Sequence, residues 1–117
     1  MHILPGGATR SEKAPRYDLI PIEGLERIAE RFSLGAEKHG EGNWKQSLAT
    51  ESNAYAFCKE AFNHAIHHAN KMVSGIDPED DHLGAIGWFV VVTAHVEEKF
   101  GKKWTHLSRG LVDELGL

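Results

Sequence analysis

Acidic, basic and histidine residues gather in three short stretches of this chain. The first is Gly35-Ala36-Glu37-Lys38-His39-Gly40, followed at once by Asn43-Trp44. The second runs from Lys59-Glu60-Ala61-Phe62-Asn63-His64 to His67-His68, and the third is Asp80-Asp81-His82-Leu83. On an ideal helix each residue advances by about 100°, so Glu60, His64, His67 and Lys71 share one face with Asn63 at its edge. A carboxylate and an imidazole four residues apart can ligate one metal ion, or can simply pair with each other. Asp81-His82 brings a second acidic group at the start of the next helix. Glu60 and Lys71 stand about 16 Å apart along the helix axis. Asp81 therefore meets Glu60 only if the intervening turn is offset or if a second subunit supplies one of the two. The bland alternative is a capped helix start with solvated acids.

The second half of the chemistry is anion binding. Lys38, with Arg16, Lys13 and Arg10 near the N-terminus, offers cations of the kind a triphosphate requires as a Pα–O bond breaks. Lys13 and Arg10 read better as solvated surface charge. Tyr17 and Trp44 offer faces on which a base can stack, and Asn43 can hydrogen-bond its edge or the sugar. Trp44 serves equally well as a cap over the core. Other chemistries fail for want of their residues: there is no glycine-rich phosphate loop, no paired-cysteine zinc motif and no Gly-x-Ser-x-Gly elbow. Cys58, between Phe57, Ala61 and Phe62, reads as core.

These residues must be carried by helices. Pro21 suits a first helical turn, and Leu25, Ile28, Ala29, Phe32 and Ala36 recur at helical spacing, which predicts a helix over residues 21–39. Gly40 to Gly42 ends it, and residues 43–50 read as a loop. A second helix is expected over 51–73, capped by Thr50 or Ser52 and broken by Gly75. Asp77-Pro78 predicts the start of a third, with Asp77 as cap and Glu79, Asp80 and Asp81 at its positive end. It should run to Lys99 and stop at Gly101. Its middle, residues 86–93, is apolar on nearly every side, which calls for burial all round, in part by another subunit. Residues 104–115 form a last amphipathic segment with Leu107, Leu111 and Leu115 four apart. No segment alternates long enough for a strand; Val90-Val91-Val92 is β-prone but lies inside a helical pattern. Residues 1–18, rich in glycine, proline and charge, read as an extended arm. The expected class is all-α, a bundle of three or four helices in a single domain of 117 residues.

Composition narrows the partners. A formal charge of −4 argues against non-specific binding to nucleic acid. One cysteine excludes an intramolecular disulfide and fits a reducing cytosol. Residues 1–13 lack the apolar core of a signal peptide, and residues 83–94 are too short to span a membrane.

Taken in order, Pro15-Arg16-Tyr17-Asp18-Leu19-Ile20-Pro21, the Gly35 to Gly40 stretch, Asn43-Trp44, His64 and Glu79-Asp80-Asp81-His82-Leu83 resemble the small phage-encoded dATP/dGTP diphosphohydrolases. Those are relatives of the all-α MazG-type nucleoside triphosphate pyrophosphohydrolases, and the resemblance covers residues 10–98. It implies cleavage of a purine deoxynucleoside triphosphate, dGTP or dATP, to the monophosphate and pyrophosphate. It implies Mg²⁺ or Mn²⁺ held by carboxylates, a homo-oligomer (dimer or tetramer), and the cytoplasm, the host's if the chain is phage-encoded.

Together these readings assign Glu60 and Asp81 to a divalent ion, with Glu37 a third ligand. The ion would polarise the α-phosphate and activate a water. Lys38 and Arg16 hold phosphates, while Tyr17, Asp18, Asn43 and Trp44 shape the substrate site. His64 and His82 serve as ligands, orienters or proton carriers, with Glu60, Lys38 and His64 as the catalytic set. The rival is a non-catalytic histidine-rich helical module in which His64, His67 and His68 bind a transition metal or a protein partner.

Overall fold

Capping residues set the ends of three long helices. The computed structural model describes residues 2–3, 6–7, 9–10 and 15–104. α1, Ile22–His39, starts behind Pro21 and stops at Gly40, whose φ of +93° a side chain would resist. α2, Glu51–Ser74, is capped by Thr50, whose hydroxyl accepts from the Asn53 N–H at 3.2 Å. It ends at Gly75 in the left-handed conformation, with the glycine N–H returned to the last carbonyls of the helix. α3, His82–Phe100, ends in the same way at Gly101.

The start of α3 differs from the expectation. Asp81, not Asp77, is its cap, accepting from the Gly84 N–H at 3.1 Å. Residues 77–81 form a tight turn, with Asp77 at φ +48° and its carboxylate 2.8 Å from Lys71 Nζ. Asp81 wins because it also meets Arg27 on α1, a partner that no reading of α3 alone reveals.

Two further differences are local. Residues 43–50 hold a 3₁₀-helix, Asn43–Leu48, which drives Leu48 into the core. The N-terminal arm is not wholly extended: His2–Ile3 (β1) and Thr9–Arg10 (β2) pair antiparallel, and Tyr17–Leu19 forms a 3₁₀ turn ahead of α1. The architecture remains an all-α helical bundle. The segment expected as a last helix, beyond Trp104, lies outside the described residues.

α2 and α3 form an antiparallel hairpin. Tyr55 donates to the Lys102 carbonyl at 2.7 Å, Phe62 meets Phe89, and His68 meets His82, so contacts climb α2 as they descend α3. The seam is narrow because α2 buries small residues at helical spacing: Ala54, Cys58, Ala61 and Ala65. Burial also pushes the Cys58 thiol pKa up, as suits a core residue. Leu48, Ala54, Cys58 and Val96 form a core cluster at the end remote from Gly75, closed over by Trp44, Tyr55, Phe57, Phe100 and Trp104.

α1 lies beside α3 in the same direction: Arg27 reaches Asp81, and Phe32 reaches Trp88. Glycine permits this approach. A Cβ at Gly87 would stand 2.7 Å from Ile28 Cγ1, and one at Gly84 would stand 3.0 Å from the Arg27 carbonyl oxygen. The apolar middle of α3 is only partly covered, leaving Val90 58% and Val91 41% exposed.

Candidate functional site

A cleft of about 590 Å³ opens between the C-terminal half of α1, the Gly40–Trp44 turn, the middle of α2 and the first turns of α3. That volume is ordinary for a small-molecule site, which spans roughly 300–1,000 Å³. Its floor and one wall are aromatic. Trp44 stacks on Phe57 at 6.1 Å between centroids and meets Phe32 and His95 edge-on, while Phe32 and Trp88 continue the surface. Arg31, Lys38, His39, Glu41, Asn43, His64 and His68 supply the polar groups of its lining. Lys38, in the last turn of α1, has no ion-pair partner among the described residues, so its ammonium is available to an anion.

The other polar assembly sits where α2 turns into α3, and there opposite charges pair. Arg27 pairs with Asp81, and Arg31 Nη1 pairs with Asp80 at 2.9 Å. These guanidinium contacts hold both carboxyls below the usual aspartate range. His82 is buried, with Nε2 at 3.1 Å from the Ile76 carbonyl oxygen and 2.9 Å from that of Asp77. Its Nδ1 lies 2.9 Å from Nδ1 of His68, and Nε2 of His68 lies 3.4 Å from Arg31 Nη2. Burial, reinforced by the Arg31 charge, lowers the His68 pKa.

The residues singled out from the sequence divide between these regions and others. Lys38, Asn43, Trp44 and His64 come together in the cleft. Trp44 is half-buried over the core and also lines the cleft. Glu60 lies on a separate shallow surface with Gln46, Ser47 and Asn53. Within the hairpin it stands level with the middle of α3, not with its start. Asp81 is engaged by Arg27 and by the α3 N-terminus, and Glu37 is exposed on α1. Within one chain, then, Glu37, Glu60 and Asp81 do not converge. Arg16 and Asp18 pair with each other at 2.7 Å, and Tyr17 is 74% exposed, at the end of α1 opposite Lys38. His82 has both ring nitrogens engaged and does not line the cleft.

Among the described residues, one group of ligating atoms lies mutually within 4.8 Å: those of His68, Asp80 and His82. Two imidazoles and a carboxylate suit a divalent transition ion better than Mg²⁺, which prefers an all-oxygen shell. Reading each helix alone missed this group and missed Arg31. A signal was present: His68 stands seven residues before Gly75 and His82 seven after it, which sets them opposite each other in a hairpin.

No described helix is long and apolar enough to cross a membrane. No curated protein and no solved structure matches the chain. A family profile does, described as dATP/dGTP diphosphohydrolase, N-terminal, and its match spans residues 5–106. That span takes in the cleft, the hairpin and the polar turn, and by it the chain belongs to the dATP/dGTP diphosphohydrolase N-terminal family.

Proposed function

We propose that this chain, acting as one all-α unit in the cytoplasm, hydrolyses a purine deoxynucleoside triphosphate, dGTP or dATP, to the monophosphate and pyrophosphate. The cleft carries the reading. In a family named for dATP/dGTP diphosphohydrolase, one groove gathers an ammonium with no ion-pair partner among the described residues, a carboxamide, a half-buried indole wall and an imidazole. Trp44 stacks on the base and Asn43 hydrogen-bonds its edge or the sugar. Lys38 holds the β- and γ-phosphates. Water attacks Pα, the bond from Pα to the bridging oxygen breaks, and pyrophosphate leaves with the electron pair. His64 takes the proton of the attacking water.

Glu37 and Glu60 have no cation partner among the described residues and are the proposed carboxylate ligands for Mg²⁺ or Mn²⁺, meeting only between two copies of the chain because they do not converge within one. Asp81 joins them only by exchanging Arg27 for the ion. When bound, the ion supplies positive charge against the charge that develops on the phosphates. Mg²⁺ is commonly held by one or two carboxylates together with substrate phosphates, so no closed cage of protein ligands is required beforehand.

Arg16, Tyr17 and Asp18 sit beyond the start of α1, about 24 Å of helix from Lys38. In this reading they complete the base site of a second copy, within a dimer or tetramer. His82 acts by orienting His68 and does not touch the nucleotide.

The test is a panel of nucleoside triphosphates with Mn²⁺, scored for products. A purine monophosphate plus pyrophosphate is expected. Release of single phosphates or of intact triphosphate would refute the mechanism. The non-catalytic metal-binding alternative has one observation in its favour, the meeting of His68, Asp80 and His82.

A further inference from the structure

We propose that His68, Asp80 and His82 form a binding site for a divalent transition ion of the imidazole-preferring class, Zn²⁺, Co²⁺ or Ni²⁺, distinct from the carboxylates assigned to Mg²⁺ or Mn²⁺. The decisive group is His82. Its Nε2 faces two backbone carbonyl oxygens, at 3.1 and 2.9 Å, and carbonyls only accept. That nitrogen therefore carries the proton, and Nδ1 of the neutral ring is a bare lone pair. An imidazole whose far N–H is fixed on a backbone carbonyl is the usual outer-shell arrangement of a metal-ligating histidine. Here the fixing groups come from the turn itself, Ile76 and Asp77, so the lone pair is aimed by the fold.

It is aimed at two other ligand atoms. Nδ1 of His68 lies 2.9 Å away, and Asp80 Oδ2 lies 3.9 Å from both nitrogens. Ligand atoms on an ion with bonds of about 2.1 Å sit about 3–3.4 Å apart. The two imidazoles already stand near that separation, and Asp80 closes by about half an ångström. Without an ion, His68 Nδ1–H donates to His82 Nδ1, and Arg31 Nη2 donates to the bare Nε2 of His68. With an ion, His68 gives its Nδ1 lone pair to the metal and carries its proton on Nε2. That N–H then faces the Arg31 N–H, and the two repel. Arg31 keeps Asp80 through Nη1 and frees Nη2, and both Arg31 and His68 line the cleft. Ion binding in the turn thus presents a guanidinium N–H to an anion in the cleft.

The test is calorimetric titration of the metal-free full-length chain with Zn²⁺, together with the visible absorption of Co²⁺ and no nucleotide present. One ion per chain is expected. His68→Gln and Asp80→Asn should each weaken binding by at least about tenfold, the loss that even an outer-shell partner produces. His67→Gln, one position away on α2 and outside the trio, should bind as the unmodified chain does. Unchanged binding in both His68→Gln and Asp80→Asn would overturn the site, as would absence of saturable binding or a loss confined to His67→Gln. Because ion binding is read without turnover, a chain that binds Co²⁺ but cleaves no nucleotide loses only the hydrolysis reading. One that cleaves nucleotides but binds no Co²⁺ loses only this site.

Discussion

The two ends of the α2–α3 hairpin are built on opposite principles. At the Gly75 end, polar groups answer one another: Arg27 with Asp81, Arg31 with Asp80 and His68, His68 with His82, Lys71 with Asp77. Toward the other end, Trp44, Phe57, Phe32 and Trp88 form an aromatic cluster, and Lys38 has no ion-pair partner among the described residues. A network of largely exposed ion pairs fixes geometry at little net gain, since solvent screens each pair. An unanswered cation beside an aromatic cleft does little for stability and a great deal for an anionic aromatic ligand. The contrast predicts that substitutions at one end show in turnover and at the other in folding.

The sharpest break of that contrast is Lys38→Met. It keeps the stem and removes the charge, and Lys38 has no ion-pair partner to strand among the described residues. Nucleotide kcat/KM should fall on the order of 100-fold, as when one preorganised charge-stabilising group is lost. The unfolding free energy should stay within the scatter of surface substitutions, about 0.5 kcal/mol. A large drop in stability with modest loss of turnover would assign Lys38 to the fold instead.

Gly87→Ala should do the reverse. The added methyl meets Ile28 at a distance that real side chains do not tolerate, so the Ile28 side chain must leave its rotamer or α1 must shift away from α3. Overpacking of this kind costs typically about 1–3 kcal/mol. Denaturant melts should show it, and turnover per folded molecule should change less than in Lys38→Met. If stability rose instead, α1 would be held loosely, and the cleft wall it forms would be adaptable.

Asp81 separates two roles within the polar end. Asp81→Asn keeps a good helix cap and removes the charge, while Asp81→Ala removes both. The cap alone is worth about 1 kcal/mol, so thermal melts should rank Asn above Ala by roughly that amount. Turnover in Asp81→Asn tests the ligand assignment separately: a loss on the scale of Lys38→Met supports it, and near-normal turnover leaves Asp81 as cap and ion-pair partner alone. Glu60→Gln is the companion test on α2, where no structural role competes.

Much of this was legible along the chain because helix ends are local. Thr50, Gly75 and Gly101 declare themselves by residue type, and the structure uses each as expected. Asp77, beside Pro78, reads as the cap of α3, with Asp81 only an acid at its positive end, and the structure uses Asp81 instead. What decided between them was Arg27, 54 residues from Asp81 in sequence. Partnerships across helices depend on hairpin register, which neither helix encodes alone. Glu60 and Asp81 therefore looked like candidates for one ion, although level residues in the hairpin are Glu60 with the Val90 region and His68 with His82. The cleft was legible in its residues, Lys38, Asn43, Trp44 and His64, but not in its closure by Trp88 and Arg31 from elements read only for periodicity.

The smallest expected effect is on stability against pH, and it probes the polar end directly. Arg31, Asp80, His82 and Lys71 all face His68, and the balance of burial and positive charge lowers its pKa in the folded chain. An unfolded histidine titrates near about 6.5. Below that value the unfolded chain takes up a proton that folded His68 refuses, so the unfolded state binds more protons and stability falls with pH. The neutral-His68 contribution is therefore complete above about pH 6.5 and is lost as pH drops toward the lowered folded value. The Asp80 and Asp81 contributions have the same sign but fail at lower pH, below the ordinary carboxylate range, because their folded pKa values are depressed from near 3.8. Two steps of acid destabilisation should then appear in metal-free protein as pH falls, the first setting in below the unfolded histidine value of about 6.5 and the second below the unfolded aspartate value of about 3.9. His68→Gln should remove the upper step and leave the lower. A profile flat from pH 7 to pH 5 in the unmodified chain would mean that His68 is free to charge where it stands, and that its lone pair is not held in reserve for Arg31 or for an ion.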